Sequence, residues 1–208
     1  DRVIGQSDQS DLIDRVAAHY RPLVVWGNYR EGQVHCVVGT DNEIGGRIAA
    51  EHLIASGAKR LAFLGDTTGI EIAMRHRGAA AAAKDAGLSL THIPVNLASA
   101  EMGPQIKAAL GMPDVDCDGF VCASDLIAMS ALRVLYETGR AVPDDAQIVG
   151  FDDLPMAAQT MPPLTTIRQE IAEGARVMVE RLKARIEGES TESLAMAPSL
   201  IVRRTTRR

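Results

Sequence analysis

The stretch "DGFVCASDLIAMSALRVLYETGRAVPDDAQIVGFDD", residues 118–153, decides the fold. It begins with an apolar run at 119–122 and ends with another at 147–151, and both runs are typical of buried parallel strands. Between them, Ser124-Asp125 is a helix-start signal and Gly139 is a helix-stop signal. Two parallel strands joined by a helix predict a doubly wound α/β sheet.

The same alternation of strand and helix continues on both sides of this stretch. Further strands are predicted at 22–26, 35–38, 60–65, 92–95 and 197–204. One helix is predicted after the cap Asp41 and another over about 170–187. The rhythm breaks at the proline-marked "MPPLTTIRQ", 161–169, as it would where the chain passes between two lobes.

Apolar residues at three- and four-residue steps predict the buried sides of these helices. The predicted stripes are Ile44, Ile48 and the region of Leu53 and Ile54 in the first helix; Ile127, Ala131, Val134 and Leu135 in the second; and Ile171, Ala175, Met178, Leu182 and Ile186 in the last. Gly45-Gly46 are expected to allow close helix packing.

The composition is that of a globular α/β protein. Of 208 residues, 46% are apolar, 24% are charged and only 3% are aromatic, which excludes disordered and fibrous classes. The net charge of -5 argues against a general polyanion binder, because phosphate binding needs clustered Lys and Arg. The basic "VRRTTRR" at 202–208 is expected to be a solvated tail.

Cysteine use and hydropathy point to the cytoplasm. Three cysteines at 36, 117 and 122 give no disulfide framework, as is usual in a reducing compartment. No apolar run has the length of a membrane span, so no membrane partner is expected, and no signal sequence is found. Because the sequence starts at Asp1, we expect it to be a fragment of a longer protein.

Motifs for cofactors and catalysis are missing from the sequence. No GxGxxG, P-loop or GxSxG motif occurs at the end of a predicted strand. The five histidines and three cysteines show no spacing of a metal site. We therefore predict no cofactor, no metal and no catalytic residue.

Three polar groups follow predicted strands and are the candidates for a ligand site. Arg75-His76-Arg77-Gly78 is placed at the beginning of a helix, Ser124-Asp125 at the start of the next, and Asp152-Asp153 after the strand at 147–151. On local grounds each group has a structural alternative: a solvated arginine, a helix cap or a turn. An arginine fork and an aspartate in one cleft would suit a polyol or a sugar.

These residues stand in motifs that resemble a known family. "VVGTDNEIGGRIAAEHLIASGAKRLAFLG", "RHRGAAAAAKDAG", the stretch 118–169 and "APSLIVRRTT" together resemble the effector-binding core of LacI/GalR-family transcriptional regulators. The resemblance implies a periplasmic-binding-protein-like fold of two doubly wound parallel-sheet lobes joined by three crossovers. The N-terminal lobe, which is incomplete in this sequence, would comprise 1–38 and 168–194, and the C-terminal lobe 39–167 and 195–208.

The resemblance also implies the site. Arg75, three residues before Gly78, and Asp152 in "GFDD" match effector-binding positions, which leaves Asp153 as the turn residue. Ser124 stands where many members have asparagine. Trp26 to Asn28 fall where the N-terminal lobe contributes a pocket wall, so Trp26 and Asn28 complete the predicted set.

The function implied is a cytoplasmic, homodimeric sensor without enzymatic activity. Its effector would be a sugar or sugar acid, and the whole protein would act as a repressor that binds operator DNA through an N-terminal helix-turn-helix headpiece missing from this sequence. A periplasmic sugar-binding protein of a transport system shares the fold and is the alternative. An enzyme that uses the two acids as a catalytic pair is a more distant third.

Overall fold

The computed structural model describes residues 6–28, 33, 35–97, 101–111 and 116–207. Within these ranges the helices are α1 (Gln6–His19), α2 (Asn42–Ala55), α3 (Ile70–Asp85), α4 (Met102–Leu110), α5 (Asp125–Glu137) and α6 (Ile171–Ile186). The strands are β1 (Val24–Trp26), β2 (Cys36–Thr40), β3 (Leu61–Leu64), β4 (Leu90–Ile93), β5 (Gly119–Cys122), β6 (Gln147–Asp152), β7 (Thr165–Arg168), β8 (Leu194–Met196) and β9 (Ser199–Ile201). A short 3₁₀ helix, Pro155–Gln159, follows β6.

The strands form two separate sheets, as the predicted two-lobe α/β fold requires. The larger sheet has the order β4-β3-β5-β6-β7-β9, and its strands run parallel except for β9, which is antiparallel to β7. The smaller sheet, β1-β2-β8, is parallel throughout. The strands predicted from apolar runs are all present, whereas β7, β8, α1 and α4 were not predicted.

The chain crosses between the sheets three times. It leaves the smaller sheet after β2, returns to it through α6 after β7, and leaves it again between β8 and β9. The predicted lobe boundaries at residues 38 and 194 fall within β2 and at the first residue of β8. Boundaries after Thr40 and Met196 would keep both strands whole, and the division into lobes stays a prediction.

Each sheet has its own apolar core. The core of the larger sheet includes the fully buried Phe63, Phe120 and Phe151. The smaller sheet has a much smaller core, made of Cys36, Val38, Val177 and Met196. All three cysteines are buried free thiols, and no helix among the described residues is both long and apolar enough to cross a membrane.

Glycines bring α2 and α3 into backbone contact. A Cβ added at Gly46 would lie 1.9 Å from the carbonyl oxygen of Arg75, and one added at Gly78 would lie 1.9 Å from that of Glu43. The expected close packing is confirmed. Of the stripe predicted for α2, Leu53 is fully buried and Ile48 and Ile54 pack against the core, so the prediction was wrong for Ile44 alone. Ile44 is 44% exposed because α2 turns its glycine and alanine side toward α3 and the sheet.

The apolar stripe predicted for the last helix is also largely exposed. In α6 only Gly174 and Val177 are buried, whereas Ile171 and Ile186 are more than half exposed. The reason is that α6 contacts β1 and β2 of the narrow smaller sheet, which covers only one strip of the helix. The stripe predicted for α5 is confirmed, since all four of its residues are buried.

The C-terminal segment is docked, so the prediction of a solvated tail was wrong. Thr205 is fully buried; its backbone carbonyl accepts from the amide of Ile148, and its hydroxyl donates to the carbonyl of the same residue. The Thr205 hydroxyl also accepts from the amide of Thr165 at 2.9 Å. Composition alone suggested a polar tail, but the threonine hydroxyls satisfy backbone groups at the start of β6 and β7.

Candidate ligand-binding site

A cavity of about 290 Å³ lies where strands of both sheets end. Trp26 and Thr40, the last residues of β1 and β2, line it from the smaller sheet. Ser124 after β5 and Asp152 at the end of β6 line it from the larger sheet, and Gln169 lies at the crossover after β7. The carboxyl ends of parallel strands are where open α/β sheets bind ligands.

Four of the five predicted site residues line this cavity: Trp26, Arg75, Ser124 and Asp152. Asn28 lies behind them, where its Oδ1 accepts from Nδ2 of Asn42 at 2.5 Å. Asn28 therefore supports the wall of the cavity indirectly, through its hydrogen bond with Asn42. The role of all five residues in binding stays a prediction.

Arg75 is 8% exposed and is held on three sides. Its Nε donates to Oδ1 of Asn42 at 2.7 Å, one terminal nitrogen donates to the carbonyl of Ala123 at 2.5 Å, and the guanidinium lies 3.7 Å from the centroid of the Phe151 ring. Burial lowers the pKa of Arg75, and the charge of Asp152 partly offsets this effect.

The position of Arg75 within its helix differs from the prediction. The helix α3 begins at Ile70, so Arg75 stands in its second turn and not at its beginning. The arginine is thus away from the positive end of the helix dipole, which removes the electrostatic objection to a cation there. Among the described residues, its second terminal nitrogen has no hydrogen-bond acceptor, so it can donate to a ligand.

Asp152 and Asp153 have separate partners, although they are adjacent. Both have positive φ, 113° and 55°, a region that aspartate enters more readily than most residues. Oδ1 of Asp152 accepts from Nε2 of Gln169 at 2.6 Å and lies 3.9 Å from the terminal nitrogen of Arg75. Burial raises the pKa of Asp152, with Arg75 and Gln169 opposing the increase.

Asp153 is a structural residue of the turn after β6. It accepts from Nε of Arg168 at 2.7 Å and from a terminal nitrogen of Arg203 at 2.5 Å. Burial of Asp153 acts against its charged form, but hydrogen bonds from the two arginines hold its pKa below the ordinary value. The geometry fits one acid directed to the cavity and one acid that fixes the backbone.

In the pair Ser124-Asp125, one residue combines the cap with a place in the cavity wall, and the other is structural. Ser124 both caps α5, accepting from the amide of Ile127 at 3.3 Å, and lines the cavity. Asp125 is fully buried and accepts from the amide of Leu154 at 2.7 Å and from the hydroxyl of Thr166 at 2.5 Å. Burial raises its pKa to about 6.

Sequence reasoning missed four polar residues that line the cavity: Thr40, Asn42, Glu71 and Gln169. Thr40 and Gln169 stand at or directly after a strand end, so the rule that found Asp152 would have found them too. Asn42 follows a helix cap and Glu71 stands in the first turn of α3, where polar and acidic residues are ordinary. The positions of Asn42 and Glu71 in the sequence therefore did not indicate a ligand site.

Other features of the described residues offer less for ligand chemistry. A larger surface groove of about 840 Å³ lies between α4 and α5 and is lined by Pro104, Ser130 and Arg133 among others, but by none of the predicted site residues. Across the described ranges, no cluster of three or more His, Cys, Asp or Glu residues could hold a metal ion. The smaller cavity at the strand ends is therefore the better candidate.

Comparison with known proteins adds the family context. Residues 50–206 match the family described as periplasmic binding protein-like domain. The chain is 34% identical over 174 residues to the HTH-type transcriptional regulator CelR of Thermobifida fusca, a match that covers 80% of this chain and 50% of CelR. The chain spans about half the length of the curated relatives it matches.

Two solved structures share the fold. A transcriptional regulator of the LacI family from Sanguibacter keddieii is 33% identical with a TM-score of 0.79, over 89% of this chain and 72% of that one. A LacI family transcriptional regulator from Enterococcus faecium with bound ribose is 26% identical with a TM-score of 0.83, over 95% of this chain and 76% of that one. The periplasmic-binding-protein-like arrangement implied by the sequence motifs is confirmed.

Proposed function

Because this chain belongs to the LacI family of transcriptional regulators through its periplasmic binding protein-like domain, we propose that it is the effector-sensing part of a regulator that responds to a sugar or a sugar acid. The observation that carries the proposal is the pairing of Arg75 with Asp152 in the cavity at the strand ends. Ribose bound to the Enterococcus faecium relative supports the sugar class.

The chemistry of this pair suits a polyhydroxylated ligand. Arg75 can donate and Asp152 can accept; Arg75 is buried, and Asp152 is half-buried. Hydrogen bonds to charged groups contribute about 1.5–3 kcal/mol each. Trp26 offers an apolar ring face in the same cavity, which suits the C–H face of a sugar.

The signal would be a change in how the two sheets are oriented. Trp26 and Thr40 belong to the smaller sheet, whereas Arg75 and Asp152 belong to the larger sheet's lobe, so one ligand can contact both. A ligand shifts such an equilibrium only by its differential affinity for the two orientations. The lobes would be 1–38 with 168–194 and 39–167 with 195–208, adjusted to whole strands.

The remaining parts of the function concern the whole protein. We propose a cytoplasmic homodimer without enzymatic activity that represses transcription by binding operator DNA through a headpiece that lies outside these 208 residues. Support comes from the relatives named as HTH-type regulators, which are longer than this chain.

A thermal-shift screen against sugars and sugar acids tests the site. The best ligand of the wild-type chain should bind Asp152→Ala about 10- to 100-fold more weakly, because the variant loses a charged acceptor. Asp144→Ala, which changes an exposed aspartate away from this cavity, is the matched control and should respond like wild type. An undiminished response of Asp152→Ala would show that the ligand binds elsewhere.

A further inference from the structure

Two residues that line the cavity each carry a buried polar atom with no hydrogen-bond partner among the described residues. These atoms are the hydroxyl oxygen of Thr40 and Oε2 of Glu71. Thr40 is 3% exposed, so bulk water cannot solvate its hydroxyl well. Since almost all buried polar groups in proteins are paired, two unpaired groups on residues that line one cavity point to a ligand that pairs with them.

The two groups lie on opposite sides of the cavity. Thr40 ends β2 of the smaller sheet, and Glu71 stands in the first turn of α3, in the lobe of the larger sheet. The carboxylate of Glu71 nevertheless lies close to the smaller sheet. A Cβ added at Gly27, directly after β1, would be 3.4 Å from its Oε1. A ligand that binds both residues would therefore bridge the two lobes.

The helix dipole does not explain the position of Glu71 completely. A negative charge in the first turn of a helix is favourable, and this accounts for an acidic residue there. It does not supply a donor to Oε2, which receives no hydrogen bond from a backbone amide or a side chain in the described part of the chain. A ligand in the cavity can supply the missing donor.

The charges around the cavity decide which ligand chemistry fits. Glu71 and Asp152 provide two carboxylates, and Arg75 provides one guanidinium, part of which already donates to Asn42 and Ala123. A ligand carboxylate would meet an excess of negative charge, whereas sugar hydroxyls can donate to the two carboxylates. Neutral donors are thus favoured over an acid.

Building on the proposed sensing function, we propose that Thr40 and Glu71 contact the effector directly. The effector is then a neutral sugar with several hydroxyl groups, and Glu71 excludes the corresponding sugar acids. Thr40, in the opposite lobe, forms a hydrogen bond with a further hydroxyl group of the sugar.

Calorimetric titration with neutral monosaccharides and their uronic and aldonic acids tests this inference. The wild-type chain should bind its best neutral sugar at least about tenfold more tightly than either acid derived from it. Glu71→Gln keeps the shape of the side chain but removes its charge. It should bind the neutral sugar about tenfold more weakly and should discriminate less against the acids.

Conservative changes separate direct contact from loss of structure. Thr40→Val removes the hydroxyl and should weaken neutral-sugar binding about fivefold, whereas Thr40→Ser should retain most of the affinity. Glu187→Gln, at an exposed position after α6, is the matched control for Glu71→Gln and should bind like wild type. Melting curves without ligand establish that each variant is folded.

The outcomes distinguish this inference from the proposed function. If a sugar acid or an amino sugar binds more tightly than every neutral sugar, and Asp152→Ala abolishes that binding, the sensing function stands and the neutral-sugar inference is overturned. Unchanged affinity in Glu71→Gln also overturns it. If no sugar of any class binds the wild-type chain, both the inference and the proposed function fail.

Discussion

Three aspartates near the end of β6 show how environment gives one residue type different roles. Asp152 faces the cavity, Asp153 is clamped by Arg168 and Arg203, and Asp125 lies fully buried under the turn. Asp125 accepts from the amide of Leu154 and thereby fixes the backbone just after the two acids. The buried aspartate positions the turn from which Asp152 faces the cavity.

Asp125 should make stability depend on pH. Its pKa is raised from 3.8 to about 6, so between these values the folded chain binds more protons than the unfolded chain. Its contribution to stability is therefore present at low pH and is lost as the pH rises through about 6. A pKa difference of about 2 corresponds to about 3 kcal/mol.

Urea denaturation of wild type and Asp125→Asn at pH 7 and pH 4.5 measures this contribution. The free energy of unfolding of wild type, relative to the variant, should increase by about 2 kcal/mol on acidification. Asp144→Asn, at an exposed position, should show no such change relative to wild type. A relative stability that falls on acidification would contradict the raised pKa.

The sequence predicted some site residues better than others for a physical reason. Asp152 and Ser124 follow obvious apolar strands, and Arg75 belongs to a motif shared with a family, so their location could be inferred. Glu71, in contrast, became a candidate only because its Oε2 is buried without a partner among the described residues. Whether a polar atom is paired depends on contacts between distant segments, which no local pattern contains.

At the scale of elements, the contact between α2 and α3 determines where Arg75 lies. Gly46 contacts the backbone of Arg75 itself, and Gly78 contacts the backbone of Glu43, so the two helices lock together at the residue that enters the cavity. Any side chain at these glycines would push Arg75 away from Asn42 and Asp152. The small residues of α2 thus help to determine the shape of the cavity wall at Arg75.

Gly46→Ala should destabilise the chain by at least about 2 kcal/mol, because its Cβ would lie 1.9 Å from a carbonyl oxygen and the helices would have to separate. Thermal or urea unfolding measures the loss. Gly103→Ala in α4 is the matched control, since its Cβ would meet only the Ser130 hydroxyl oxygen, 3.7 Å away. That variant should be as stable as wild type or up to about 1 kcal/mol more stable. Equal stability of both variants would contradict the packing argument.

Elements of the larger sheet were predicted closely, and elements of the smaller sheet less well. The apolar run at 119–122 coincides with β5, and the run at 147–151 differs from β6 by one residue. By contrast, β8 has only three residues, too few to show an alternating pattern, and α6 buries a narrower strip than its apolar stripe suggested. Short strands and partly covered helices depend on tertiary contacts that periodicity does not report.

For the whole molecule, the two lobes differ in the size of the apolar core that stabilises each of them. The larger sheet is buried on both faces by helices, with three fully buried phenylalanines. The smaller sheet's described core comprises four buried residues. Regions with few buried apolar contacts open at lower free energy, so the smaller sheet should be the less stable part of the chain.

Hydrogen exchange followed by mass spectrometry tests this difference. Amides of β1, β2 and β8 should exchange at least about tenfold faster than those of β3, β5 and β6. A bound effector that contacts Thr40 should slow exchange in β2 preferentially, since ligand binding stabilises only states in which the site is formed. Equal protection in both sheets without ligand would contradict the argument from core size.

The docked C-terminal segment has a practical consequence for biosensors built from this chain. The last strand ends at Ile201, which makes it an inviting place to trim the chain or to fuse a fluorescent reporter. Yet Arg203 holds Asp153, and Thr205 joins β6 and β7 at their starts. A sensor cut at Ile201 would lose the support of the turn that presents Asp152, so the reporter should be inserted elsewhere and the sequence kept through Arg207.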